Sequence, residues 1–277
     1  MRQQLPGTSE RRVCSVLEVS RSAVRLRPVR SERKPQIDPV LAERIRELIH
    51  EHPTFGYRRT WALLRFREDW KVNRKKVYRI LRLKGCMVHQ RCTRPKPRVQ
   101  HSRSRAEQSE ERWAMDLTHI PCGMDGWGHP VATLDWHDRE IVGWEFALRG
   151  RSKEAERALE EACLRRFGTL CPTSREQTVR SDNGLVFQSR RFRAACRFYG
   201  LGQEFITPYT PQQNGMVERF FRSLKEECTW QHSFASFQEA KSAIAKWIRW
   251  YNNERPHQAL GYRSPAQFRA EKHQQVA

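Results

Sequence analysis

Two aspartates stand where the sequence otherwise predicts an apolar strand and a tight turn. Asp116 interrupts the apolar run 113–120, and a charged group inside such a run is costly unless a partner or a metal compensates it. Asp182 follows the short run 178–181, in the turn sequence Ser-Asp-Asn-Gly. Because functional groups collect at the carboxyl ends of strands in α/β sheets, both aspartates are candidates for a site.

A third acidic residue, Glu218, lies on a segment with helical periodicity. The apolar face of this helix has residues at i, i+4, i+7 and i+11, namely Val217, Phe221, Leu224 and Cys228. Glu218 shares a different face with Arg222 and Lys225, which follow at i+4 and i+7. The helix therefore presents one carboxylate and two cations together.

Three carboxylates beside two cations fit metal-assisted phosphoryl transfer. Carboxylates are hard oxygen ligands for Mg²⁺ or Mn²⁺, and two such ions about 4 Å apart can activate an attacking oxygen and stabilise a departing one. Arg222 and Lys225 are suited to hold a phosphate beside the metals. Each acid alone also fits an ordinary role: Asp182 in a turn, Glu218 on a helix surface and Asp116 at a strand end.

The elements that must position these acids are predicted to form an α/β layer fold. Runs rich in β-branched and aromatic residues at 113–120, 129–136 and 140–147 predict an antiparallel meander. Helices and strands then alternate: helix 152–167, strand 178–181, helix 189–199, strand 203–206 and, after the loop 207–214, the Glu218 helix. A helix at 236–251 and an irregular tail complete the chain.

The N-terminal part is predicted to be helical. Residues 9–25 have a short helix-turn-helix pattern, and a polar linker follows it. The next helix has apolar residues at i, i+4, i+7 and i+8, namely Leu41, Ile45, Leu48 and Ile49. The turn 55–59 begins a helix with Trp61 and Leu64, and Asn73 caps another whose apolar face is Val77, Ile80 and Leu81.

Positive charge is concentrated in this N-terminal third. The chain has 52 Lys and Arg, 31 Asp and Glu, and a net charge of +21. Residues 1–105 contain 28 Lys and Arg against 9 Asp and Glu, whereas residues 106–277 contain 24 against 22. This imbalance indicates nucleic acid before membrane as the partner, although a solvated basic face is the alternative. We expect phosphate contacts from Arg58, Arg59, Arg74, Lys75, Lys76, Arg79, Arg94, Lys96 and Arg98.

Other residue types limit the remaining functions. No apolar run approaches the roughly 18 residues that span a bilayer, and the first 25 residues have no signal-peptide core. Eight scattered cysteines without a CxxC pair predict reduced thiols, most of them in the core. Arg255 and His257 fit either a DNA contact or packing of the last helix, and packing is favoured. Packing is also favoured over base stacking for Trp113, Trp127, Trp136 and Trp144.

The interval between the second and third acids points to a family. Thirty-five residues separate Asp182 from Glu218, the interval typical of DDE transposases and retroviral integrases. The chain resembles this superfamily and, more narrowly, the large-frame transposases of the IS-three group of bacterial insertion sequences. The resemblance covers nearly the whole chain and rests on the segments HPTFGYRRTWALL, VNRKKVYRILRLKG, WAMDLTHI, SDNGLVF, TPYTPQQNGMVERFFRSLKEE and YNNERPHQALGYRSPAQF.

The resemblance implies an RNase H-like integrase catalytic core behind an all-helical helix-turn-helix DNA-binding region. Asp116, Asp182 and Glu218 would bind two Mg²⁺ or Mn²⁺ ions, and Lys225 would contact the terminal nucleotides. Members expose a 3′-OH at the element ends and use it to attack a target phosphodiester, without a covalent protein intermediate. The implied partners are terminal inverted repeats, target DNA, further copies of the chain on DNA, and an upstream-frame helix-turn-helix protein, often as a frameshift fusion. The implied location is the bacterial cytoplasm, at the nucleoid.

The predicted domain organisation follows from these patterns. It comprises a short helix-turn-helix at 1–27, a linker at 28–40, a helical DNA-binding domain at 41–90, a basic linker at 91–108, the catalytic core at 109–229, and a C-terminal helix and tail packed on the core at 230–277.

Several other functions fit parts of the sequence. A retroviral-type integrase would carry a zinc-binding His/Cys module, which has no match here. A domesticated or inactive DNA-binding regulator would fit the basic region, although all three acids and Lys225 are present. A nuclease with the same core would cleave without joining strands. A tyrosine or serine recombinase needs a nucleophilic hydroxyl in a basic constellation, and neither pattern is found.

Overall fold

The computed structural model describes residues 9–25, 37–88, 106–170, 177–207 and 210–276. Contacts divide the chain into two units, Met1–Ala42 and Glu43–Ala277. The first unit contains the short helices α1 (Glu10–Val16) and α2 (Arg21–Arg25). Ser20 caps α2, because its hydroxyl accepts a hydrogen bond from the Ala23 N–H at 3.1 Å. The two short helices predicted at 9–25 are confirmed.

Helices also form the N-terminal part of the second unit. They are α3 (Pro39–Glu51), which spans the division, α4 (Tyr57–Ala62), continued by a π-helical turn at Leu63–Arg67, and α5 (Arg74–Leu83). The Asn73 side chain caps α5 by accepting from the Lys75 N–H at 2.8 Å. Val77, Ile80 and Leu81 are buried on one face of α5, as predicted.

The strands of the sheet are β1 (Arg112–Leu117), β2 (Ile120–Pro121), β3 (Trp127–Asp135), β4 (Ile141–Ala147), β5 (Thr178–Ser181) and β6 (Gly202–Phe205). Their order is β4–β3–β1–β5–β6, with β2 paired to the start of β3. β3 is antiparallel to β1 and β4, whereas β5 is parallel to β1 and β6, so the predicted meander is confirmed. The predicted single strand 113–120 is interrupted after Leu117, and its pairing with β3 resumes in the same register at Ile120.

Helices cover both faces of this sheet. They are α6 (Ser152–Phe167), α7 (Leu185–Gln188), α8 (Arg190–Phe198), α9 (Gly215–Glu227), α10 (Phe237–Asn253) and α11 (Pro265–Val276). Trp113 and Met115 of β1 pack in the core cluster that contains α6 and α8 residues, whereas Ala114 packs in the cluster of α9 and α10. Because side chains alternate along a strand, Asp116 lies on the same side of the sheet as Ala114.

One prediction for this region is wrong, and one helix was not predicted. The tail is not irregular, because α11 begins at Pro265, and proline is favoured in the first turn of a helix. The short helix α7 was also absent from the predicted elements. Within the described ranges, no helix combines the length and the apolar character needed to span a bilayer.

Candidate active site

Parallel pairing of β1 and β5 brings the two aspartates to one edge of the sheet. Ala114 lies opposite Arg180 in the last registered pair. Asp116 lies two residues after Ala114 in β1, and Asp182 lies two residues after Arg180, just beyond the end of β5. The carboxyl ends of adjacent parallel strands meet at the same edge, where sites in α/β sheets form. The sheet therefore brings together Asp116 and Asp182, which are 66 positions apart in the sequence.

Asp116 lies in an environment with an excess of negative charge. Burial, together with the charges of Asp182 and Glu218, raises the pKa of its carboxyl to about 7. The Leu117 N–H, which donates to Asp116 Oδ1 at 2.8 Å, and the Lys225 ammonium act in the opposite direction. A cation bound here would relieve both the burial cost and the repulsion.

Asp182 is fixed by the turn that follows β5. Its Oδ1 accepts from the Gly184 N–H at 2.9 Å, and the Asn183 side-chain amide donates to the Ile206 carbonyl at 3.0 Å. A Cβ at position 184 would lie 2.9 Å from Asp182 Oδ1, so glycine leaves room for this carboxylate. The turn role and a catalytic role for Asp182 are compatible, because Oδ1 retains a lone pair and Oδ2 is not used in this bond.

Glu218 lies in the first turn of α9, where the helix dipole favours a carboxylate. Burial raises the pKa of Glu218, and the Asp182 charge adds to this effect. The start of α9 is held against the sheet by Asn214, whose amide donates to the Met115 carbonyl at 3.2 Å. Arg180 also donates to the carbonyl of Gln213 at 3.2 Å. These contacts fix Glu218 relative to β1.

Asn214 and Arg180 are positioning residues, and the sequence predicts neither contact, although it places Asn214 in the loop before the Glu218 helix. Both are buried although both are polar, and Asn214 donates to the residue immediately before Asp116. Their partners are distant in the sequence, so periodicity and spacing carry no signal for them.

An open pocket joins two of the three acids to the cations of α9. Its lining residues are Asp116, Thr118, Glu218, Phe221, Arg222, Lys225 and Trp230. The predicted common face of Glu218, Arg222 and Lys225 is therefore confirmed. Arg222 is exposed and its Nε donates to Glu226 at 2.6 Å, whereas Lys225 is half-buried. Asp182 is not among the lining residues and acts on the pocket through its charge.

The donor chemistry fits a hard divalent cation. Carboxylate oxygens are the ligands that Mg²⁺ and Mn²⁺ prefer, and the Asp116 carboxyl is destabilised as an anion by its surroundings. Among the residues that the structure describes, however, no three His, Cys, Asp or Glu side chains are close enough together to hold a metal ion. The charge of Asp182 thus raises the pKa of Asp116 and of Glu218, but the three acids do not form a closed ligand set.

The predicted DNA contacts differ in their surroundings. Arg58 on α4 and most of the predicted residues on α5 are exposed, namely Arg74, Lys75 and Arg79, while Lys76 is half-buried. Arg94, Lys96 and Arg98 lie outside the described residues. Arg59 has a packing role in this structure, which argues against its predicted phosphate contact: its Nη1 donates to Glu227 at 2.7 Å and its guanidinium lies over the Phe55 ring.

The exposure of the other residues that the sequence singled out tests their predicted packing roles. Trp113 and Trp136 are buried and Trp144 is half-buried, as predicted, but the packing role predicted for Trp127 is wrong, because its side chain is 60% exposed. Arg255 and His257 are buried, which supports packing over a DNA contact. The described cysteines are free, and all of them except the half-buried Cys86 are buried.

Family comparisons agree with this architecture. An HTH-like domain matches residues 36–96, and two integrase core domains match residues 106–211 and 199–265. Transposase InsD for insertion element IS2A/D/F/H/I/K of Escherichia coli is 31% identical over 231 residues, which span 81% of this chain and 76% of the relative. Transposase InsD for insertion element IS2D of Escherichia coli strain K12 gives the same values.

This chain belongs to the IS-three family of DDE transposases. It is therefore a polynucleotidyl transferase that acts on DNA, with an integrase core behind an HTH-like domain. Enzymes of this superfamily generally use divalent metal ions. The predicted fold class, with a mixed α/β core and an N-terminal helical region, is confirmed.

Two solved structures are similar to this transposase at low sequence identity. The crystal structure of the catalytic core domain of BIV integrase is 19% identical with a TM-score of 0.44, covering 61% of this chain and 99% of that chain. The cryo-EM structure of the simian T-cell lymphotropic virus intasome in complex with PP2A regulatory subunit B56 gamma is 17% identical with a TM-score of 0.47, covering 75% and 73%.

Proposed function

We propose that this transposase binds the ends of an insertion element, cleaves a phosphodiester there to expose a 3′-OH, and joins that hydroxyl to target DNA. The observation that carries the proposal is the convergence of three acids from β1, the end of β5 and the start of α9. Two of these acids line one pocket with Arg222 and Lys225, and the third raises the pKa of both.

In this proposal Asp116, Asp182 and Glu218 hold two Mg²⁺ or Mn²⁺ ions. The bound ions would activate the attacking oxygen and stabilise the departing one. The protein's own contribution is to keep three carboxylates at one site where their charges repel, so that the free energy of ligand binding includes relief of that repulsion.

The cations of α9 position the DNA backbone beside the acids. Lys225 is half-buried in the pocket wall and contributes a positive charge at Asp116. Arg222 is more exposed and extends the positive surface along the same helix face. Both are suited to hold phosphate oxygens. The attacking group is a hydroxyl of water or DNA, so the mechanism needs no nucleophilic side chain.

The helical region supplies the remaining grip on DNA. We assign this role to residues 41–90, where Arg58, Arg74, Lys75 and Arg79 are exposed, and to the basic linker 91–108. The catalytic core is assigned to 109–229 and its C-terminal support to 230–277. The proposed ligands are the terminal inverted repeats and target DNA at the nucleoid, bound by several copies of the chain together with an upstream-frame helix-turn-helix protein.

A strand-joining assay tests this function. Labelled DNA carrying the ends that flank the gene is incubated with Mg²⁺ or Mn²⁺ and wild-type transposase, with and without the upstream-frame protein. Asp182→Asn is compared with Glu271→Gln, which changes an exposed acid on α11, outside the pocket and outside the segments assigned to DNA. We expect metal-dependent joined product from wild type and Glu271→Gln and none from Asp182→Asn. Binding without product in every combination would instead support an inactive regulator.

A further inference from the structure

We propose that Trp230 is a stacking platform for an unpaired nucleobase of the DNA end, beside the phosphates that enter the pocket. This inference deepens the proposed function and rests on it. Trp230 lines the same pocket as Asp116, Glu218 and Lys225, and its side chain is 67% exposed. Neither the spacing of the acids nor the family comparisons assign a role to this residue.

The exposed indole is carried by a well-anchored segment. Trp230 is the middle residue of a 3₁₀ turn, Thr229–Gln231, which is separated from α9 by Cys228 alone. Its two predecessors, Cys228 and Thr229, are 3% and 6% exposed. They fix the backbone in the core while the next side chain projects outward, so the exposure of Trp230 does not result from a loosely attached turn.

Hydrogen bonds hold this turn against the end of α9. The Gln231 N–H donates to the Cys228 carbonyl at 3.1 Å, and the Gln231 side-chain amide donates to the Glu226 carbonyl at 3.0 Å. The backbone that carries the indole is therefore ordered before DNA binds. A platform ordered in advance loses less conformational entropy when a ligand stacks on it.

The surroundings of the indole favour a nucleotide over an apolar protein surface. Lys225 and Arg222 lie in the same pocket and suit phosphate oxygens, whereas the flat indole suits a base. An apolar protein partner would have to cover these cations and the two pocket acids without compensating them. A base inside a duplex has both faces covered by its neighbours, so an internal base must be unpaired or extruded before it can stack on Trp230.

A second exposed tryptophan provides the matched control. Trp127 is 60% exposed at the start of β3, but it does not line the pocket. Trp127→Ala therefore removes a similarly exposed indole at a position where we expect no base. Trp230→Phe keeps an aromatic face at the pocket, and Trp230→Ala removes it.

The test is a double-mutant cycle in which the protein and the DNA are changed separately and together. Affinity is measured in the Asp182→Asn background, and cleavage rate in the active protein, on end duplexes in which one nucleotide at a time near the cleavage site is abasic. On intact DNA we expect Trp230→Ala to lose about tenfold or more in both readouts, in line with base stacking on aromatic residues. Trp230→Phe should retain most of the wild-type value, and Trp127→Ala all of it.

The decisive result is the coupling between Trp230 and one nucleotide. At the stacked position the abasic site should cost wild type about tenfold and cost Trp230→Ala nothing further. Equal losses for Trp230→Ala at every abasic position, no loss on intact DNA, or a change of oligomeric mass without DNA would each overturn the proposal. If wild type itself gives no metal-dependent product, it is the proposed function that fails.

Discussion

The helix α9 carries an acid near each end, and the two acids have opposite surroundings. Glu218 in the first turn is exposed and lines the pocket, and the negative charge of Asp182 raises its pKa. Glu227 in the last turn has a side chain that is 5% exposed and ion-paired with Arg59 and Arg255. A carboxylate neutralised inside the fold supports structure, whereas one kept beside like charges is retained for a ligand.

Glu227 joins three parts of the second unit. Arg255, which follows α10, makes two hydrogen bonds to its carboxylate at 2.6 and 2.7 Å. Arg59 on α4 donates to it at 2.7 Å. Arg255 also lies over the Tyr251 ring, with 5.4 Å between the guanidinium carbon and the ring centroid. The helical region and the C-terminal segment thus meet at the far end of the helix that carries Glu218.

The largest expected effect is on catalysis at the exposed acid. Glu218→Gln should lower the rate of DNA cleavage by about 10³-fold or more, because a site built on metal-held charge loses a ligand. Asp116→Asn should do the same. Neither variant should lower the melting temperature of the metal-free protein, since each removes a charge that its neighbours destabilise. Loss of DNA binding in both variants would contradict this separation of roles.

The paired acid should show the reverse pattern. Glu227→Gln leaves the guanidinium groups of Arg59 and Arg255 without their counterion, which should lower the free energy of unfolding by about 3 to 5 kcal/mol. Denaturant unfolding measures this loss. The neighbouring Glu226, 37% exposed and paired with the exposed Arg222, is the control: Glu226→Gln should change stability by about 1 kcal/mol at most. Equal effects at the two positions would remove the contrast.

The same junction should make stability depend on pH. Burial, and then the charges of Arg255 and nearby arginines, hold the pKa of His257 well below its ordinary value of 6.5. The folded protein therefore keeps this histidine neutral, and its stability is lost as the pH falls below the unfolded pKa. We expect His257 to contribute a loss of up to about 1.4 kcal/mol per pH unit below 6.5. Unfolding curves of wild type and His257→Gln between pH 7.5 and roughly 5 measure it, and identical slopes would contradict it.

The smallest expected effect concerns the exposed cations of α5. Arg79 is exposed on this helix, so Arg79→Gln should weaken binding to all DNA sequences similarly and reduce the slope of log K against log salt by about 0.9. Fluorescence anisotropy at several salt concentrations measures the slope. Arg197→Gln, which changes an exposed cation on α8, should leave it unchanged; an equal reduction there would mean that charge anywhere on the surface acts alike.

The sequence predicted one end of α9 better than the other. Glu218, Arg222 and Lys225 are linked by helical spacing, and Asp182 by the interval typical of the family that the chain resembles, so these two patterns were sufficient to group them. Glu227 is 168 residues from Arg59 and 28 from Arg255. Their pairing depends on how the helices pack, and a polar residue at a helix end predicts solvent as readily as burial.

Two further omissions have local causes. Helix α11 was predicted as an irregular tail because its sequence, PAQFRAEKHQQV, is mostly polar and lacks an apolar stripe. Trp230 resembles a core residue in sequence, because it follows an amphipathic helix and large aromatic residues usually pack. Its exposure results from a turn whose anchoring hydrogen bonds the sequence pattern does not encode.

Counting bound metal tests the central claim most directly. Mn²⁺ binding to the DNA-bound transposase is measured by electron paramagnetic resonance for wild type, Asp116→Asn and the surface control Glu271→Gln. We predict about two ions per active site in wild type and in Glu271→Gln, and weakened binding in Asp116→Asn. Undiminished Mn²⁺ binding by Asp116→Asn would contradict the assignment of the unpaired acids to the metal site.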